Sequence, residues 1–161
     1  MSFVPNILIV DNEPRICRSL KYLLAEQGYD TDMAYTGSEG IERLAQKPYT
    51  VAIIDMVIPD ISGPDLMEYI KSYHPDTTVI AITGYASTES AIAALRRGAY
   101  DYLIKPFEFE TLQRIIQKVL SAAHLKNSSG SPGKTYQALV ENSPDIIYTL
   151  DPEGNFSFIN N

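Results

Sequence analysis

Four residues of this sequence stand where chemistry can be done: Asp11, Asp55, Thr83 and Lys105. Each directly follows a short apolar run, namely 7–10, 51–54, 79–82 and 102–104. Two carboxylates at adjacent strand ends repel one another and invite a hard cation. Mg²⁺ suits them, because it takes oxygen ligands, keeps several waters and bridges carboxylates to phosphate. A carboxylate so placed can attack phosphorus and become an acyl phosphate. A metal ion and a lysine ammonium then stabilise charge on the equatorial oxygens, which is most of what phosphoryl transfer requires. The Thr83 hydroxyl can hydrogen-bond a phosphoryl oxygen, and Gly84 leaves that approach open. Taken singly, each residue has an ordinary explanation: Asp11 as a helix cap, Asp55 as a solvated loop carboxylate, Thr83 as a strand-end hydroxyl, Lys105 as a surface lysine. Their coincidence at the ends of four apolar runs is what points to a site.

The elements that must hold these residues are legible as an alternation. Apolar runs at 7–10, 33–35, 51–54, 79–82 and 102–104 are separated by segments of helical period. Three of the runs are nearly unbroken Ile, Val and Ala, which reads as strands buried on both faces of a parallel sheet. Pro14 suits a first helical position, with Asn12 or Glu13 as cap. Ile16, Leu20, Leu23 and Leu24 give that helix one apolar stripe, and Gly28 ends it. Thr36-Gly37-Ser38-Glu39 is a capping box for a second helix that stops before Pro48. Ser62 opens a third, running to Tyr73 or His74, and Ser87 opens a fourth closed by Gly98. Leu112, Ile115, Ile116, Val119 and Ala123 line the last. Five β–α units with right-handed crossovers give a flavodoxin-like (βα)5 doubly wound α/β fold of strand order 2-1-3-4-5, whose ligand crevice lies at the carboxyl ends of the strands.

Composition is in keeping with one domain plus an extension. The chain has 161 residues, 45% of them hydrophobic, and a formal net charge of −7. Such an acidic chain offers no electrostatic footprint for nucleic acid or for an anionic membrane surface. Cys17 is the single cysteine, so no internal disulfide forms, and we expect a half-buried thiol in a reducing compartment. The N-terminal run is too short for a signal peptide, and no stretch reaches the ~20 apolar residues of a membrane span. A cytoplasmic protein is the expectation.

The motifs themselves are more specific. The segments Ile-Leu-Ile-Val-Asp-Asn-Glu-Pro, Ile-Ile-Asp-Met-Val-Ile-Pro-Asp-Ile-Ser-Gly, Ala-Ile-Thr-Gly-Tyr-Ala and Gly-Ala-Tyr-Asp-Tyr-Leu-Ile-Lys-Pro-Phe resemble the receiver (CheY-like) domain of response regulators, over about residues 5–124. The resemblance implies that Asp55 is the phosphoacceptor, Thr83 the switch hydroxyl and Lys105 the cation that contacts phosphate. It further implies that Tyr102 is the aromatic that moves inward with Thr83, and that the Lys105–Pro106 bond is cis. The metal ligands it implies are Asp11, Asn12, Asp55 and the backbone carbonyl of Val57. Asn12 is a departure, standing where the family usually has a second acidic residue. Its amide oxygen can coordinate Mg²⁺ but brings no charge, so weaker metal binding is expected, with Glu13 one residue too far on to compensate. The implied partners are a sensor histidine kinase or phosphotransfer protein, with a homodimer through the fourth helix, fifth strand and fifth helix as a further possibility. No direct nucleic-acid or membrane contact is expected.

Residues 125–135 form a polar Gly/Ser-rich linker. Beyond it, 136–161 resembles the truncated opening of a PAS sensory domain, with a hairpin around Asp-Pro-Glu-Gly-Asn. A receiver followed by a PAS-like start suggests a longer sensor, such as a hybrid histidine kinase. His74 suits a helix C-terminus, and His124 lacks the neighbours of a phosphoacceptor histidine. The alanines of the fourth helix fit either a lightly packed switch element or simple helix propensity. Two enzyme readings fail on residues. A flavin site wants a Ser/Thr/Gly-rich phosphate loop where Asp-Asn-Glu stands. A haloacid-dehalogenase-type phosphatase wants a second Asp where Val57 stands. The expectation is therefore no enzyme but a phosphoacceptor with slow self-dephosphorylation. A pseudo-receiver that binds partners without phosphorylation is the alternative.

Overall fold

The computed structural model describes residues 4–84, 88–128, 148–150 and 156–159. Five parallel strands, β1 (Asn6–Val10), β2 (Asp30–Ala34), β3 (Val51–Asp55), β4 (Thr78–Thr83) and β5 (Asp101–Ile104), form one sheet in the order β2-β1-β3-β4-β5. Helices α1 (Pro14–Glu26), α2 (Gly37–Gln46), α3 (Gly63–Tyr73), α4 (Thr88–Arg96) and α5 (Phe109–Ser128) follow the strands in turn. This is the flavodoxin-like arrangement expected from the alternation of runs.

Side chains alternate across a strand, and here both faces are apolar. Leu8 and Val10 of β1, Ala52 and Ile54 of β3, and Val79 and Ala81 of β4 share one core cluster with Leu44 of α2, Leu66, Met67 and Ile70 of α3, and Ala94 of α4. Their neighbours Ile7, Ile9, Ile53, Ile80 and Ile82 project to the other face and are equally buried. There the buried stripes of α1 (Cys17, Leu20, Leu24) and α5 (Leu112, Ile115, Ile116) remain to cover them. Each fully buried Ile or Leu contributes about 1.5–3 kcal/mol, so the sheet is anchored by apolar burial on both sides.

Several local expectations are met. Thr36 Oγ1 accepts the Glu39 N–H at 3.1 Å, while Glu39 Oε2 accepts the Tyr35 N–H at 2.7 Å. Ser62 caps α3, accepting from Asp65 N–H at 3.2 Å. Gly28 and Gly98, both at positive φ, close α1 and α4. Three expectations need correction. Strand β2 starts at Asp30, not at the apolar run 33–35. It is an edge strand whose acids are held from outside: Lys47 Nζ lies 2.8 Å from Oδ2 of both Asp30 and Asp32, and Tyr49 Oη donates to Asp32 at 2.7 Å. Charges on an edge oppose pairing with other chains, and a search for apolar runs passes over them. Glu13 occupies the α1 N-cap position without a side-chain cap bond. Cys17 is wholly buried rather than half-buried, its Sγ donating to the Asp11 carbonyl at 3.2 Å.

Helix α5 runs on through Ser128 and so takes in residues 125–128, whose polar composition suggested linker. Ser87, the rest of the linker and residues 136–147 lie outside the described residues. So does the turn at 151–155. The strands on either side of it, β6 (Tyr148–Leu150) and β7 (Phe156–Ile159), pair antiparallel. Among the described residues, no helix is long and apolar enough to cross a membrane.

One glycine fixes the path of the chain after β3. A Cβ built on Gly63 would stand 2.5 Å from Met56 Cα and 2.7 Å from the Asp55 carbonyl oxygen, both backbone atoms that cannot swing aside. Gly63→Ala is therefore expected to lower stability by about 1–3 kcal/mol or more, measured by urea unfolding. A midpoint unchanged from wild type would show that the loop yields freely.

Candidate functional site

Register brings the four strand ends together. Val10 pairs with Ile54, so Asp11 and Asp55 fall side by side. Asp55 pairs with Ile82, and Thr83 pairs with Ile104, one residue before Lys105. Backbone bonds extend the ladder past each end: Asp11 N–H to Ala34 O at 3.1 Å, Met56 N–H to Ile82 O at 2.8 Å, and Lys105 N–H to Thr83 O at 2.8 Å. The side chains then converge. Lys105 Nζ lies 2.8 Å from Asp11 Oδ2, 2.8 Å from Asp55 Oδ2 and 2.9 Å from Glu13 Oε1. Of these, the contacts with Asp55 and Glu13 have hydrogen-bond geometry. The contact with Asp11 is an ion pair of less favourable angle, and Lys105 is the counter-charge that Asp11 Oδ2 has in its buried position. The second oxygens are held by backbone: Asp11 Oδ1 accepts the Glu13 N–H at 2.8 Å, and Asp55 Oδ1 accepts the Val57 N–H at 2.9 Å.

The electrostatics follow from burial. Asp11 and Asp55 side chains are only 3% and 6% exposed. Desolvation lifts the Asp11 carboxyl above its ordinary value; the Lys105 ammonium and the Glu13 N–H pull it back, and the Asp55 charge adds to the rise. Burial alone would lower the Lys105 ammonium, but Asp11, Asp55 and Glu13 together outweigh it and hold it above its usual range. Cys17 sits beneath, its thiol pushed up to about 12 by burial and then by the Asp11 charge, so it stays protonated.

Carboxylate oxygens of Asp11, Glu13 and Asp55 all lie within 4.8 Å of one another. One ammonium cannot neutralise three carboxylates, so the cluster keeps an excess of negative charge. This all-oxygen set fits a hard divalent cation such as Mg²⁺.

The other residues singled out in the sequence fall on the same strands and the loops that follow them. Thr83 is buried at the end of β4. Tyr102 is half-buried and packs against the core cluster. The Lys105–Pro106 bond is cis. Asn12 is exposed, and the Val57 side chain is exposed in the loop after β3. Glu13 is the residue that sequence reasoning set aside and the structure brings in. The signal was Pro14: the residue before a proline is driven to extended backbone. Glu13 indeed has φ −96° and ψ 101°, and its carboxylate reaches Lys105 instead of the helix start. His74 ends α3, its ring 5.8 Å from that of Tyr69.

Comparison with known proteins gives one consistent result. The family model of the response regulator receiver domain matches residues 7–117. The chain is similar to the response regulator protein PilR of Pseudomonas aeruginosa, 39% identical over 139 residues, covering 86% of this chain and 31% of that protein. It is also similar to the regulatory protein AtoC of Escherichia coli, 36% identical over 126 residues, covering 78% of this chain and 27% of that one. The chain thus spans under a third of the length of these relatives. Among solved structures, a CheY-like receiver domain protein from Methanospirillum hungatei superposes with a TM-score of 0.69 at 32% identity, covering 74% of this chain and 96% of that one. The response regulator TrrA of Thermotoga maritima, solved with Mg²⁺ and beryllium fluoride, gives 0.66 at 32% identity, covering 72% and 99%.

A pH dependence follows from Asp11. Its folded-state pKa is raised, so its contribution to stability is present below the ordinary carboxylate range and lost as pH rises through the raised value. Asp11→Asn removes that cost. The variant is expected to melt a few degrees above wild type at neutral pH without metal, the gap closing as pH falls toward 4. A variant less stable than wild type at neutral pH would contradict the sign.

Proposed function

Because the chain belongs to the response regulator receiver family, we propose that it relays a signal by accepting a phosphoryl group on Asp55 from a phosphohistidine of a sensor kinase or phosphotransfer protein. The observation that carries this reading is the convergence of Lys105 Nζ on the Asp11 and Asp55 carboxylates at 2.8 Å. A carboxylate oxygen of Asp55 attacks phosphorus. The O–P bond forms as the N–P bond to the donor imidazole breaks, and the imidazole leaves with its electron pair and takes up a proton. Asp55 is aimed for this by the Val57 N–H on Oδ1 and by Lys105 on Oδ2. Lys105, already the counter-charge of the cluster, is placed to follow a phosphoryl oxygen, and the Thr83 hydroxyl to bond another. Asp11, Asn12, Asp55 and the Val57 carbonyl would hold Mg²⁺, which would supply charge neutralisation for the phosphoryl oxygens. Glu13 adds the negative charge that Asn12 does not bring. Val57 stands two residues after Asp55 where a hydrolytic enzyme of this chemistry would want an acid, so slow turnover of the acyl phosphate is expected.

Movement of Thr83 toward the phosphoryl group leaves room that Tyr102 fills from β5. The surface of α4, β5 and α5 then changes its preference for partners, a second copy of the chain included. The PAS-like sensory segment after residue 136 is consistent with a longer sensor protein, such as a hybrid histidine kinase.

Incubation with acetyl phosphate and Mg²⁺ is expected to add one phosphoryl group by intact-mass measurement, and none to Asp55→Asn. No adduct on wild type under any metal condition would overturn this and favour a phosphorylation-independent interaction module. Restoring the missing acid with Asn12→Asp is expected to tighten Mg²⁺ binding by roughly tenfold, a conservative figure for one added charge beside a dication at an effective dielectric near ~20. Equal dissociation constants would contradict a role for position 12 in holding the metal.

A further inference from the structure

Helix α2 begins by closing on a loop far away in sequence. A helix start leaves several N–H groups without intrahelical acceptors. In α2, the Glu39 N–H goes to Thr36 Oγ1, the local cap. Those of Gly37 and Ser38 both go to Asp60, at 2.8 Å to Oδ1 and 2.9 Å to Oδ2. The Ser38 hydroxyl donates to the same Oδ2 at 2.7 Å. The Ser38 hydroxyl first, then these N–H groups, hold the Asp60 carboxyl well below the usual carboxylate range, so it stays ionised. The approach is close as well as polar. A Cβ on Gly37 would stand 2.7 Å from Ile61 Cβ, so the loop rests where only a glycine lets it.

Asp60 lies in the loop between Asp55 of β3 and Ser62, the cap of α3. The two ends of that loop are fixed near the acceptor by Met56 N–H to Ile82 O and by Gly63 N–H to Met56 O at 3.3 Å. Its middle carries Val57, whose N–H holds Asp55 Oδ1. Asp60 is the one charged tie between this middle and a neighbouring element among the bonds that the described residues show. We propose that Asp60 is a positioning residue for the phosphoacceptor site, pinning the β3–α3 loop to the start of α2 so that Val57 stays in place beside Asp55 for metal and phosphoryl binding. This rests on the phosphoacceptor reading given above.

A purely structural cap would act differently, and Thr36 supplies the control. Thr36→Ala removes a cap from the same helix start without touching the loop. Gly37→Ala wedges the loop away while leaving Asp60 intact. By calorimetric titration of MgCl₂ into the full chain, Asp60→Ala and Gly37→Ala are each expected to weaken binding about tenfold, the lower range for groups that orient a metal's ligands. Asp60→Asn, keeping one acceptor oxygen, should fall between, and Thr36→Ala should stay near wild type despite a lower melting temperature. Mg²⁺ added to wild type should also shift the Gly37 and Ser38 amide resonances, a readout that needs no variant to fold. Wild-type affinity in Asp60→Ala, an equal loss in Thr36→Ala, or unmoved Gly37 and Ser38 amides would overturn the proposal while leaving Asp55 phosphorylation intact. A wild-type chain that takes up neither Mg²⁺ nor phosphoryl would overturn the phosphoacceptor reading, and this proposal with it.

Discussion

The structure depends on a charge imbalance held at the ends of buried strands. Asp11 and Asp55 are almost out of water, Glu13 leans in from the start of α1, and one lysine serves all three. Burying a charge is costly unless it is paired and hydrogen-bonded. Here each aspartate has one oxygen fixed by a backbone N–H and the other turned toward Lys105. The arrangement keeps an excess of negative charge of the kind that suits a hard cation.

Such a cluster needs a rigid support, and the sheet provides it. Parallel strands buried on both faces are held by close packing of their side chains against helices on either side. Their last residues are therefore fixed relative to one another to within the tolerance of the hydrogen-bond ladder. The loop after β3 is the less constrained part. It is tied at its base by the Gly63–Met56 approach and at its middle by Asp60 on α2, so the Asp55 carboxylate inherits its position from two sides.

Much of this was legible in the sequence for physical reasons. Strands β1, β3 and β4 announce themselves because both faces are apolar, and the residues that break the run at their ends are the site. Helix starts at Thr36 and Ser62 were readable because capping is local chemistry. Strand β2 was misplaced because its edge carries Asp30 and Asp32, whose partners Lys47 and Tyr49 follow on from another element. Glu13 was set aside because distance along the chain was taken for distance in space, whereas Pro14 redirects it. Cys17 looked half-buried because a helical stripe gives a face but not its depth. The tie from Asp60 to Gly37 and Ser38 spans more than twenty residues, and nothing local in the sequence encodes it.

Crystals of the chain grown with Mn²⁺, a scatterer that occupies Mg²⁺ sites, test the central claim most directly. An anomalous peak within coordination distance of the Asp11 and Asp55 carboxylates, with Asp11 Oδ2 among its ligands, is the predicted result. A map with no peak between those carboxylates at saturating metal, or with the ion held elsewhere on the domain, would contradict the account.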